Sequence, residues 1–301
     1  MTERPLPTRA IGGAVRRELS VRTSCVGGDV KDEVEELGPP PPVQGRSQVA
    51  ILIHGFNNTR KAARNSYQDL FDNLEESLPG IGDDPEGRFR GFHWPGDANL
   101  GPVSFVSYPV EIGDAKKSAR SLARFLRRLR GPGIQDFVQV DIVAHSLGCR
   151  VILETMTELL GDGVSYPVVF RDVCLMAAAV PLYMVDDGAE LRPGAELPRR
   201  LVVLHSYADL VLAGAFPLGQ TLGGEGFFPG ALGRYGPPPG LPLPGGTRMP
   251  GLGHTKYWKD KAVSSHVATF LNLINIPSRE GQTRATLERK IMSEEEGDAN
   301  G

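Results

Sequence analysis

Cysteine is scarce. Cys25, Cys149 and Cys174 are the only three in 301 residues. An odd count with no CxxC spacing argues against a disulfide framework and a cysteine-type zinc site, so these thiols are expected to be small, buried hydrophobes. Long apolar runs are missing as well. No stretch approaches the roughly 20 residues that a bilayer-spanning helix requires, and the opening MTERPLPTRAIGGAVRRELS carries charge without the apolar core of a secretory signal. The cytoplasm is therefore the expected compartment. Charge of one sign is also lacking. With 33 Lys+Arg against 36 Asp+Glu the formal net charge is -3, which draws the chain neither to nucleic acid nor to an anionic membrane. HExxH and GxxxxGK[ST] are absent, and Gly12-Gly13, Gly27-Gly28 and Gly223-Gly224 lack the strand-to-helix setting of a phosphate loop. No metal or other cofactor is expected.

What is present suits one sizeable core, since 40% of the residues are hydrophobic. Residues 1–47 read as a Pro/Gly-rich extension, with GPPPPVQG (38–45) as a spacer and a strand or two within 14–25. Residues 277–301 read as an acidic, disordered tail. Between them lies the expected domain, 48–276. QVAILIH (48–54) is a continuously apolar, β-branched run of the kind buried on both faces of a parallel sheet. Helical spacing follows over 59–78, a strand over 88–94, a second helix over 110–130, a strand over 136–144, a helix over 146–160, strands over 172–180 and 200–206, and a closing helix over 258–274. The arginines of the second helix (Arg120, Arg124, Arg127, Arg128 and Arg130) read as a solvated outer face rather than a nucleic-acid patch, because no aromatics interleave them. Residues 211–253 are dense in Gly and Pro and read as a long loop or lid. This alternation predicts an α/β fold with a mostly parallel central sheet and helices on both faces.

The chemistry concentrates in VDIVAHSLGCR (140–150), where an apolar strand runs through Ser146 into a helix. The small residues Ala144 and Gly148 flank the serine at two positions on either side, as a sharp strand-to-helix turn demands. Such a nucleophile elbow raises a hydroxyl at a helix N-terminus, where N–H groups favour a developing anion. An N-cap serine would account for the same residue without chemistry. A second segment, ILIHGFNNT (51–59), ends the first strand and suits the other half of an oxyanion hole. Its expected donor is the Phe56 N–H, paired with that of Leu147, and Gly55 permits close backbone approach. His54 is expected to be a structural hydrogen-bonder. His54, His93 and His145 all precede or adjoin the serine, whereas the order Ser, acid, His places the base after it. His254, in the loop before the last helix, is favoured over His205 inside a strand and His266 inside a helix. Asp209, just past a strand, is the expected acid, with Asp186 or Asp187 as the fallback. The acid would hold the imidazole in one tautomer while the imidazole takes the serine proton.

HGFNNT, FHWPG (92–96), the long helix after Tyr108-Pro109, AHSLGCR, SYAD and GHTKYW together resemble the α/β-hydrolases of unknown function called the DUF900 family, over roughly residues 48–275. The family's typical segments read like HGYNNT, WPS, AHSMGxR, a strand followed by S-x-x-D, and GHxxY. The resemblance implies an α/β-hydrolase fold, a triad of Ser146, Asp209 and His254, and esterase-, lipase- or thioesterase-like chemistry on a small-molecule or lipid acyl ester. The chain departs from the family in the length of 211–253 and in its first 47 residues. Two rivals stand beside a hydrolase: a binding or scaffold protein that keeps the fold without the chemistry, and an acyltransferase in which an alcohol replaces water.

Overall fold

A computed structural model describes residues 17–24, 28–38, 48–79, 81, 88–96, 108–130, 137–161, 166–242 and 244–273. The expected tail, the spacer at 39–45 and Cys25 lie outside these residues. Among the described residues eight strands form one sheet: β1 (Glu18–Arg22), β2 (Val30–Leu37), β3 (Gln48–Ile53), β4 (Phe89–His93), β5 (Val138–His145), β6 (Val168–Met176), β7 (Arg200–His205) and β8 (Pro244–Arg248). Their spatial order is β2-β1-β4-β3-β5-β6-β7-β8, and every pairing but β1 with β2 is parallel. The helices are α1 (Arg60–Ser77), α2 (Tyr108–Arg128), α3 (Leu147–Gly161), α4 (Arg192–Glu196), α5 (Phe216–Leu222), α6 (Leu232–Tyr235) and α7 (Lys261–Phe270).

The apolar runs become the central strands because both of their faces must be covered. Residues 49–53 of β3 and 140–144 of β5 are buried throughout. From β3 the chain steps one way to β4, then crosses back over β3 to β5. Right-handed crossovers therefore set α1 and α2 on opposite faces. Helix α7 packs beside α1, and α3 packs beside α2. β3 and β5 are direct neighbours whose following helices leave toward opposite faces. That reversal opens a crevice at the carboxyl ends of these two strands, where residues 54–56 meet Ser146. This is the α/β arrangement expected from the sequence.

Four regions differ from expectation, the first being the strand expected over 172–180, which runs instead over Val168–Met176. Among the described residues the sheet begins at Glu18 rather than at residue 48: β1, within the expected 14–25 stretch, pairs with β4 and carries β2 as its outer neighbour. The acidic sequence of β2, VKDEVEEL, hides a strand because an edge strand needs apolar residues on neither side. Its cover is α2. Ser121 Oγ donates to Lys31 O, Arg124 donates to Asp32 O, and Arg128 pairs with Glu33 at 3.0 Å. The arginine stripe thus lies partly against an acidic strand. The described residues within 211–253 form a π-turn (Val211–Ala215), α5, α6 and β8. Strand β8, PGGTR, escapes pattern reading because its pairing is entirely backbone, and a side chain at Gly246 would meet Pro237 Cδ at 2.7 Å. Finally, the closing helix starts later than residue 258. Asp260 caps α7 by accepting from the Val263 N–H at 3.0 Å, and Trp258 falls in a 3-10 turn, His254–Lys259. Ile274 lies outside the described residues.

At the sheet end opposite the crevice, charge replaces apolar packing. Asp141, fully buried in β5, receives Arg88, Arg171 and the Gln48 amide, and Asp172 receives Arg171 and Arg200. Arg171 and Arg200 also donate to the carbonyls of Leu271 and Phe270, tying the end of α7 to the sheet.

Candidate active site

Ser146 occupies the turn between β5 and α3 with φ 55°, a left-handed conformation that a non-glycine residue holds only under constraint. The constraint is visible in the backbone. The Ser146 N–H donates to Met176 O at 2.9 Å, while its carbonyl accepts from Cys149 N–H at 3.0 Å and Ala179 N–H at 3.1 Å. The end of β6 therefore grips the turn from both sides. A Cβ on Gly148 would collide with the backbone oxygens of Ile53 and His54, so only glycine lets α3 leave this close to β3. The Ser146 side chain does not cap α3. Its Oγ lies 2.8 Å from His254 Nε2.

His254 opens the 3-10 turn that precedes α7, and its Nδ1 lies 2.8 Å from Asp209 Oδ2. Asp209 is fully buried in the turn after β7. Its Oδ1 accepts from the Leu212 N–H at 2.9 Å, so both carboxylate oxygens are engaged and the group cannot swing. Arg234 donates to the Asp209 carbonyl at 2.9 Å. A carboxylate on Nδ1 requires that nitrogen to carry the proton, which leaves Nε2 as an acceptor facing the serine hydroxyl. The structure thus brings Ser146, His254 and Asp209 into one hydrogen-bonded line. It does not bring the others there. Asp186 and Asp187 are exposed, His205 ends β7 beside Tyr207, and His266 sits half-buried in α7.

The segment 54–56 passes directly over the serine. A Cβ at Gly55 would stand 2.6 Å from Ser146 Cβ and 3.0 Å from His145 Nδ1. Leu147, buried, begins α3, so its N–H belongs to the first turn, which has no intrahelical partner. Phe56 is half-buried at the same crevice. His54 anchors this loop. Its Nδ1–H donates to Gly55 O at 2.9 Å, its Nε2 accepts from the Trp94 N–H at 3.3 Å, and the Trp94 indole N–H donates to its carbonyl at 2.9 Å. The two rings stack at 5.7 Å. Complete burial drives the His54 pKa well below its ordinary value, so the ring is a neutral strut. His93, also buried, lies 3.4 Å from Glu18.

Several supports were invisible in the sequence. Arg22 of β1 is buried and donates to Asn58 O at 3.2 Å and Trp94 O at 3.0 Å, so a strand from the N-terminal segment ties the two crevice loops together. Glu18, at the start of β1, receives Arg60 and Arg64 from α1. Arg150, four residues after the serine, is buried against Glu154 and Glu225 and fixes the connection after α5. The only advance signal for these was that each charge falls in or beside an apolar run. Cys149 and Cys174 are free and buried, and burial pushes both thiols up, away from reactivity. Among the described residues no group of three His, Cys, Asp or Glu is placed to hold a metal ion, and no helix is long and apolar enough to cross a membrane.

The family model described as "Alpha/beta hydrolase of unknown function (DUF900)" matches residues 42–214. No curated protein matches the chain. Among solved structures, a predicted CIB-like hydrolase from Thermoplasma acidophilum is 13% identical, with 79% of this chain and 90% of that chain covered at a TM-score of 0.40. A hyperthermophilic esterase from Pyrobaculum calidifontis is 14% identical, with 78% and 80% covered at 0.41. A thermophilic esterase from Thermogutta terrifontis is 13% identical, with 79% and 87% covered at 0.40.

Proposed function

We propose, from the premise that the chain belongs to the DUF900 family of α/β-hydrolases, that it is a serine hydrolase cleaving carboxylic esters or thioesters. The observation that carries this is the unbroken line Asp209–His254–Ser146, with both contacts at 2.8 Å. In the proposed reaction His254 Nε2 takes the Ser146 proton as Oγ attacks the acyl carbonyl. The oxyanion so formed accepts from the Leu147 and Phe56 N–H groups. His254 then returns its proton to the leaving alcohol or thiol, and the acyl group stays on Ser146. Water, deprotonated by the same imidazole, releases the acid and restores the hydroxyl. Asp209 stays ionised and stabilises the imidazolium. No cofactor enters any step.

An acyl substrate, small or lipid-like, is supported by the segment beyond the acid. Residues 210–228 contain one charged side chain, Glu225, and expose Leu210, Val211, Leu218, Leu222, Phe227 and Phe228. These exposed apolar side chains, close in sequence to Asp209, would suit contact with an acyl chain. The test is p-nitrophenyl acetate turnover with a pre-steady-state burst, read on the native chain, Ser146→Ala and Asp209→Asn. Burst and turnover lost in Ser146→Ala, and turnover cut about 10⁴-fold in Asp209→Asn, would support the reading. A folded native chain with neither burst nor turnover would shift weight to the non-catalytic binding protein.

A further inference from the structure

Resting on the hydrolase reading above, we infer that His145, the residue before the nucleophile, is a positioning residue that holds the base His254 in register through its backbone. His145 Nε2 lies 2.9 Å from the His254 carbonyl oxygen. A carbonyl only accepts, so His145 Nε2 carries the hydrogen and Nδ1 is bare. Nδ1 is buried without a hydrogen-bond partner, against Gly55. A second proton there would make a buried cation, and burial holds the pKa down to about 3. The ring is therefore a neutral, one-way donor.

Its surroundings come from the segment it holds. The His145 ring lies 5.1 Å from the ring of His254, 6.0 Å from Tyr257 and 6.0 Å from Trp258. All three belong to the 3-10 turn His254–Lys259. Trp258 continues edge-on to Tyr67 at 5.4 Å, and the Tyr67 hydroxyl accepts from the His54 N–H at 3.0 Å. One imidazole thus locks AHSLG to GHTKYW, and through Trp258 and Tyr67 the base-bearing turn is packed to the loop over the serine. His254 is the first residue of a short 3-10 turn rather than part of an α-helix or strand, so its distance to Ser146 depends on such a tether. The His145 bond supplies it from the strand that carries the serine itself.

The test compares native chain, His145→Phe and His145→Gln. Phe fills the aromatic box without a donor, whereas the Gln amide nitrogen can replace Nε2–H. The readouts are kcat and KM for p-nitrophenyl acetate and the rate of inactivation by a fluorophosphonate. His145→Phe should lose about 10- to 100-fold in kcat with KM within about threefold, inactivation slowing in parallel, and His145→Gln should recover to within about fivefold of native. A His145→Phe rate within about twofold of native, or a Gln variant as slow as Phe, overturns the inference. Should His145→Phe fail to fold, ¹⁵N-histidine spectra of the native chain decide. An Nε2–H tautomer at His145 supports the tether, and an Nδ1–H tautomer or an imidazolium sinks it. A native chain that the fluorophosphonate does not label takes the hydrolase reading down as well. A labelled native chain with an unaffected His145→Phe removes the tether alone.

Discussion

Gly55→Ala replaces a hydrogen with a methyl group at the most crowded point of the crevice. The new Cβ would stand 2.6 Å from Ser146 Cβ, 3.0 Å from His145 Nδ1 and 3.1 Å from His145 O. Ordinary contact begins near 3.4 Å, so the loop must move outward by about 0.8 Å before the first of these is relieved. The serine cannot yield instead, because its turn is gripped by Met176, Cys149 and Ala179. The Phe56 N–H travels with the loop, away from the oxyanion it is proposed to bind. Loss of one such donor is worth about 10²–10³ in kcat, and a displacement near 1 Å costs about 10². Turnover of p-nitrophenyl acetate should therefore fall about 100-fold, mainly in kcat. Overpacking costs about 1–3 kcal/mol, which in a domain of this size lowers Tm by roughly 2–12 °C, so the variant should still be folded at assay temperature. A folded Gly55→Ala chain keeping half or more of native kcat would refute the close passage of this loop over Ser146.

Asp141→Asn should lower stability by about 3–5 kcal/mol, because it removes the buried charge that Arg88 and Arg171 face. It lies five residues and roughly 16 Å of strand before Ser146, so urea denaturation should shift while kcat of the folded fraction does not. An unchanged midpoint would contradict the structural role given to this cluster. Leu210, 79% exposed beside the acid, should contact longer acyl chains. Leu210→Asp is expected to raise KM for p-nitrophenyl decanoate several-fold and leave the acetate ester unaffected, and equal effects on both would count against an acyl-binding role. Stability should also fall with acid. Burial lowers the pKa of His54 and His145, so below the unfolded value of about 6.5 the unfolded chain binds protons that the folded chain refuses, and stability is lost as pH drops from 7 to 5. Glu18, whose carboxyl the adjacent His93, Arg64 and Arg60 hold below the usual range, contributes stability above about pH 4.3 and loses it below. A denaturant midpoint flat from pH 7 to 5 would contradict the first of these.

The parts of the fold legible in the sequence are those where burial on both faces leaves no choice of residue. β3 was readable from a continuous apolar run, β5 from a mostly apolar run interrupted by Gln139 and Asp141, and α1 and α2 from helical spacing. β2 and β8 were not, because edge strands draw their pairing from backbone groups and tolerate VKDEVEEL or PGGTR alike. The segment 211–253 looked irregular since its helices are one or two turns long, too short for a period to repeat. At the site, the turn around Ser146 was legible because sterics restrict its flanks to small residues, and chain order brought Asp209 and His254 forward. The tethers made by Arg22 and His145 were not legible. They join residues 72 and 109 positions apart, and neither a charge in a strand nor a histidine beside a serine announces its partner.

The most direct test of the central claim is fluorophosphonate labelling and mass mapping of the adduct, on the native chain, Ser146→Ala and His254→Ala. The expected result is a single adduct on Ser146, abolished in the first variant and slowed by orders of magnitude in the second. A well-folded native chain that stays unlabelled, or carries its label on another residue, would contradict it.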